Sequence, residues 1–180
     1  RSRGLGDVYK RQVAAWQDTS ASGDDTSDVA VRAQVLNADG SKRGPEFLLN
    51  TITPGAQVDV NLTALTGGRF VAVWTDSSGS SDDPSSSAVR AQIFNEDGSK
   101  VGAEFLVPVT TLVAQSQPTI TTLTDGRFVM AWQDHSSEQE SNIRGQVFDA
   151  DGTRNGAELL IVPSFDQLNP DPVSYTHLRA

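Results

Sequence analysis

The side chains best suited to chemistry fall in polar loops that each follow a tryptophan. The first loop carries Asp24, Asp25 and Asp28, the second Asp82 and Asp83, and the third Glu138 and Glu140. Clustered carboxylates bind hard cations through oxygen, calcium above all. The competing reading is a solvated loop, and the acids are read as out of register between copies, which argues against a repeated ligand set. The expectation is therefore that no metal or other cofactor is bound. Calcium stands as the one candidate cofactor, with Asp24, Asp25, Asp28, Asp82 and Asp83 as its candidate ligands. Three stretches of the form Asn/Asp-x-Asp-Gly, at 37–40, 95–98 and 149–152, also invite calcium. An EF-hand loop closes with a Glu about six residues past its Gly. Here Lys42, Lys100 or Arg154 follows the Gly by two residues, so these are read as hairpin turns.

His135 stands between Asp134 and Ser136. Sequence neighbours do not make a catalytic triad, whose members meet in space, and no Gly-x-Ser-x-Gly elbow occurs. Thr19 and Ser77 hold the equivalent positions, so His135 reads as loop variation and the chain as no enzyme. Arg32, Arg90 and Arg144 each sit among apolar residues. An arginine in every copy points to a structural role, either as a guanidinium over a tryptophan or as one bridged to Asp18, Asp76 or Asp134.

What positions these residues is a repeat. The stretch Gly68–Asp76 (GRFVAVWTD) returns as Gly126–Asp134 (GRFVMAWQD), with a shortened copy at Val13–Asp18, and Trp16, Trp74 and Trp132 are spaced by 58 residues. Gly40, Gly98 and Gly152 fall eight residues after their Arg, and Phe47, Phe105 and Leu159 fifteen after. The loop from Trp to Arg spans 16 residues in two copies and 12 in the third, an even change that leaves strand facing intact. Each unit reads as four strands, predicted near 13–17, 29–36, 46–50, 57–64, 69–75, 88–94, 103–108, 117–123, 127–133, 143–148 and 157–162. Residues 13–56 form a partial unit, 57–114 and 115–166 whole units, and 167–172 the start of another. Such a unit is too small for an immunoglobulin-like sandwich of about 100 residues. It suits a propeller blade, which takes roughly 40–50. The predicted fold is all-β: an incomplete β-propeller-type array of four-stranded antiparallel blades.

The pattern Gly-x-Phe-Val-x-x-Trp, then Val-x-Ala-Gln-x-Phe-x-x-Asp-Gly, then Gly-x-Glu-Phe resembles β-propeller-like repeats of very large bacterial secreted or surface proteins, haemolysin-type or adhesin-like. The resemblance implies an extracellular or cell-surface setting and a structural or interaction module, adhesion included. Its implied partners are a protein or glycan surface ligand and further repeats of the same chain. The alternative is a carbohydrate-binding or carbohydrate-cleaving propeller. Residues 1–12 and 173–180 belong to no repeat and resemble translated sequencing-adapter artefacts, so both are set aside as non-native ends.

The whole chain has 14 basic and 23 acidic residues, net −9. Without the two ends, 9 basic and 22 acidic residues remain, net −13. Such acidity argues against nucleic acid and anionic membrane surfaces as partners. No apolar run approaches the roughly 18 residues of a membrane span. There is no cysteine, hence no disulfide framework and no thiolate metal site.

Overall fold

The computed structural model describes residues 12–20, 25, 28–137 and 140–162. These form three antiparallel sheets. The first holds β1 (Gln12–Asp18), β2 (Ala30–Leu36) and β3 (Phe47–Leu48). The second holds β4 (Gln57–Ala64), β5 (Phe70–Asp76), β6 (Ala88–Phe94) and β7 (Lys100–Leu106). The third holds β8 (Gln115–Thr122), β9 (Phe128–Ser137), β10 (Glu140–Phe148) and β11 (Arg154–Val162). Every strand pairs with its neighbours in sequence, so each sheet is a meander. Among the described residues the one helical element is a 3-10 turn at Thr66–Gly68. The segment 167–172 lies outside the described residues, as do the two ends apart from Gln12, which opens β1 opposite Leu36.

Strand facing explains the stacking. Side chains alternate between the two faces of a sheet, and the middle sheet is covered on both. Every residue of β5 and β6 is accordingly buried. One face, Phe70, Ala72, Trp74 and Phe94, packs on Val31, Ala33 and Leu49 of the first sheet. The other, Val71, Val73, Val89, Ala91 and Ile93, packs on Phe128, Met130, Trp132 and Phe148 of the third. A strand covered on both sides has no reason to alternate, hence the unbroken apolar run in β5. Below, the leading face of a sheet looks to the sheet before it and the trailing face to the sheet after. The first strands of successive sheets lie together: Thr63 Oγ1 and Thr122 Oγ1 are 3.0 Å apart, and Asn61 Nδ2 donates to Pro118 O at 3.4 Å. Four-stranded meanders stacked face to face with their first strands adjacent are propeller-type blades.

Several strand boundaries differ from expectation, three of them for the local reasons that follow. β7 starts at Lys100 rather than 103 because the hairpin before it is tight: Asn95 N–H donates to Ser99 O at 2.8 Å, and Gly98, at φ 88°, donates to Asn95 O at 3.0 Å. β9 and β10 run on to Ser137 and from Glu140, because the shorter third loop lets the ladder continue to Glu140↔Ser137. In the second and third sheets a bulge throws the last two strands out of step, at Ala91/Ile93 and Gly145/Val147. A buried glutamine takes up the free carbonyls: Gln92 Nε2 donates to Ile93 O at 2.9 Å and Val101 O at 3.0 Å, and Gln146 Nε2 to Val147 O at 2.8 Å and Asn155 O at 3.2 Å. Gln34 bonds Val35 O and Arg43 O in the same way.

Candidate functional site

The repeated arginines are held where the sequence places them. Register pairs Trp16 with Arg32, Trp74 with Arg90 and Trp132 with Arg144. Directly opposed residues share a face, so Trp, Arg and the Asp two residues past the Trp all lie on the leading face. Arg32 Nε meets Asp18 Oδ2 at 2.6 Å, Arg90 Nε meets Asp76 Oδ2 at 2.7 Å, and Arg144 Nε meets Asp134 Oδ2 at 3.2 Å. A third member went unread in the sequence. Glu46, Glu104 and Glu158 each lie within 3.9 Å of the arginine of their own sheet. The recurring Gly-x-Glu-Phe stretch was the available signal.

The glutamate does more than balance charge. Glu104 Oε2 accepts the Thr51 N–H of the first sheet's exit segment at 2.6 Å, and Glu158 Oε2 accepts the Val109 N–H of the second's at 2.9 Å. The cation opening the last strand grips the same segments. Lys100 Nζ donates to Asn50 O at 3.0 Å, and Arg154 Nη2 to Leu106 O at 2.7 Å and Pro108 O at 3.1 Å. Phe47 tilts against Phe94 at 5.9 Å between centroids, and Phe105 against Phe148 at 5.8 Å. Each seam between sheets is therefore closed by one recurring clasp, and the repeated polar residues belong to it. Burial holds the Glu104 carboxyl above its usual range, against the pull of the Thr51 N–H and Arg90.

The acidic loops fall into the same seams. Asp25 and Asp83 stand 58 residues apart, the repeat period, and both are buried, which corrects the reading of these acids as out of register. Asp25 Oδ2 accepts from Asn50 Nδ2 at 3.0 Å, and Asn50 Nδ2 also donates to Gln57 Oε1 at 3.1 Å. Gln57 Nε2 in turn reaches Asp76 Oδ1 at 3.3 Å. A buried hydrogen-bond chain thus crosses the first seam from Asp25 to Arg90. At the second seam Pro108 stands where the first has Asn50, and the acceptors an amide there would bridge, Asp83 Oδ2 and Gln115 Oε1, are buried without a partner among the described residues. Asp82 Oδ1 accepts from Arg90 Nη2 at 2.6 Å and from Ser80 Oγ at 2.7 Å. The Arg90 and Ser80 bonds lower its carboxyl to about 2. Asp28 is exposed, and Asp24 and Glu138 lie outside the described residues. Among the described residues no group of three His, Asp or Glu side chains gathers to hold a metal. The Asp-Gly turns use their own carboxylates: Asp39 and Asp97 accept the N–H and hydroxyl of Ser41 and Ser99, which lowers both carboxyls.

One constellation departs from the repeat. His135 Nε2 lies 3.0 Å from Ser116 Oγ, and Nδ1 lies 3.0 Å from Ser141 Oγ. Val58 and Ser77 stand at the positions of Ser116 and His135 in the second unit. An imidazole that donates at one nitrogen and accepts at the other would give its N–H to one serine oxygen and accept the O–H of the other serine. Beside this group Gln117, at φ 52°, presents Oε1, and Gln133 presents Nε2; both atoms are buried and unpartnered among the described residues. All five residues sit where β8 starts, β9 ends and β10 begins, the end of the stack that also carries the acidic loops.

No protein-family model and no curated protein matches the chain. Among solved structures it is similar to an endo-arabinase from Bacteroides thetaiotaomicron, with a TM-score of 0.39 and 14% identity over 76% of this chain and 47% of that one. It is also similar to a GH43 protein from Bacillus licheniformis, with a TM-score of 0.42 and 11% identity over 79% of this chain and 32% of the other. The chain thus spans about a third to a half of the structures it matches. The first of them is named as an enzyme, and the expectation that this chain is none is corrected accordingly. That expectation read His135 as loop variation, and the structure sets its ring between Ser116 and Ser141.

Proposed function

We propose that these sheets are blades of a carbohydrate-binding or carbohydrate-cleaving β-propeller, with the His135 end of the third sheet facing the sugar. The observation that supports it is the imidazole held between two serines, with two buried, unpartnered groups on the same strands: an acceptor, Gln117 Oε1, and a donor, Gln133 Nε2. Sugar hydroxyls both donate and accept, and so suit groups of either kind. Buried polar groups left unpaired are costly and ask for a partner of this kind. The repeated Asp–Arg–Glu sets are scaffold in this reading, since their polar atoms close seams. Polysaccharide pull-down and glycan-array binding test it, with Gln133→Ala and His135→Ala as variants. Binding that falls tenfold or more in both supports the reading; no binding, or binding untouched by either change, removes it. Release of reducing ends from a bound polysaccharide tests the cleaving branch.

A protein ligand is the second reading, favoured by Val109 and Leu112, 63% and 83% exposed in the segment joining β7 to β8. The extracellular setting implied by the sequence resemblance belongs to both readings.

A further inference from the structure

The inner polar groups of the two seams match except at one position. At the first seam the side-chain nitrogen of Asn50 lies among three oxygens: Asp25 Oδ2 at 3.0 Å, Ile52 O at 3.0 Å and Gln57 Oε1 at 3.1 Å. One repeat later these become Asp83, Thr110 and Gln115, and Asn50 becomes Pro108, whose side chain has no donor. Gln115 Nε2 turns to Thr110 O at 3.0 Å and to Val113 O. Its Oε1 is buried and left without a donor among the described residues, and so is Asp83 Oδ2. Ser85 serves only the other oxygen of Asp83, through its N–H at 2.9 Å and its hydroxyl. Asp83 is 1% exposed, and no arginine or lysine among the described residues forms an ion pair with it. Asp134 Oδ1, on the residue across the ladder from Gln115, also lacks a donor, whereas its counterpart Asp76 Oδ1 takes Gln57 Nε2 at 3.3 Å.

We propose that this point of the second seam binds one monovalent cation, of the size of potassium or ammonium, where the first seam uses the Asn50 amide. A carboxylate taken out of water is costly unless positive charge or hydrogen bonds offset it. Asp134 already meets Arg144, which leaves Asp83 as the carboxylate without a cation, and a single charge balances it. Calcium takes about six to eight oxygens and commonly several carboxylates, more than gather here. The spacing at the first seam fits an ion with the reach of a nitrogen, since N–H···O bonds run about 2.7–3.2 Å. A water brings no charge to set against Asp83, and it has fewer protons than this stretch of the seam has bare acceptors. The ion would tie the loop of the second sheet, through Asp83, to the first strand of the third, through Gln115.

Differential scanning calorimetry of the full chain tests this, with potassium or ammonium chloride replacing choline chloride at fixed ionic strength. Choline is too bulky for a site that one nitrogen fills at the first seam. The bound cation should raise the melting temperature by about 3–6 °C at about ten times its dissociation constant. Of the two salts, the one with the lower midpoint identifies the occupant. Pro108→Asn sets an amide among the same oxygens, and Asp83→Asn removes the charge, so each should abolish the rise. Circular dichroism checks that both variants fold, and Pro108→Asn decides if Asp83→Asn does not. Asp82→Asn, one residue away but turned to Arg90, should keep the rise. No rise over choline overturns the proposal and leaves a water as the occupant. A rise that survives Pro108→Asn or Asp83→Asn overturns it too, as does one that is lost in Asp82→Asn.

Discussion

Arg90 shows what a repeated charged residue does when it is buried. Its Nε and Nη2 serve Asp76, Ser80 and Asp82 together, a fan of bonds that needs a planar fork. A lysine keeps the charge but covers fewer acceptors. Arg90→Lys should cost about 1–3 kcal/mol in urea unfolding, the range for buried polar groups losing a partner. Glu104 and Asp82 answer pH in opposite senses. Burial raises the Glu104 carboxyl, so the folded chain holds that proton more tightly than the unfolded chain does. Its ionisation opposes folding above the raised value, and the opposition fades as pH falls. Asp82, held at about 2 by Arg90 and Ser80, supports folding above the usual carboxylate range. That support is lost as pH falls through the usual range towards about 2, and it is small because the side chain is 54% exposed. Glu104→Gln keeps an acceptor for the Thr51 N–H, so it should shift neutral-pH stability by less than about 1 kcal/mol. It should also flatten the melting-temperature profile on the acid side of neutrality. Glu104→Leu takes a carboxylate from beside the buried Arg90 and should cost about 1–3 kcal/mol.

At the scale of the element, parity decided what the sequence could reveal. Trp74 and Arg90 are separated by an even number of residues across one loop, so a hairpin must set them face to face, and Asp76 follows from the same alternation. Glu104 had no such local warrant. Its partner Thr51 lies 53 residues away, and the contact depends on how two sheets stack. The Ser116–His135–Ser141 group was hidden for the same reason, since it joins three strands. The glutamine in each third strand recurs visibly, but its purpose appears only with the bulge it fills. Gln92→Leu leaves the Ile93 and Val101 carbonyls unpaired and should cost about 1–3 kcal/mol; Gln92→Glu sets a carboxylate against them and should cost about 3 kcal/mol or more. Pro108→Asn should do the reverse. By restoring the amide that Asn50 supplies at the first seam, it gives Asp83 Oδ2 and Gln115 Oε1 a donor and should raise the melting temperature by several degrees, about 1 kcal/mol. A fall on differential scanning calorimetry would show that the proline is needed there for its own conformation.

At the scale of the molecule, two constants run through the stack: the 58-residue period and the seam it generates. Composition alone argued against some partners and named none, whereas the period led to blades stacked on both faces. Calcium gives a test at this scale. Asp25 is bonded to Asn50 and Asp82 to Arg90, so millimolar calcium should leave the melting temperature unchanged. A rise that disappears in Asp82→Asn/Asp83→Asn would show the acidic loop to be a cation site after all.

The clasp also sets an order of events during synthesis. The Thr51 N–H is taken by a residue made 53 positions later, and the Val109 N–H by one made 49 later. A unit leaving the ribosome has its own sheet but an unfastened tail. It becomes complete only when most of its successor has been translated, and the successor folds on the surface already waiting for it. Growth of the stack is therefore directional, from N-terminus to C-terminus, and a pause between units exposes the trailing face of the last one made.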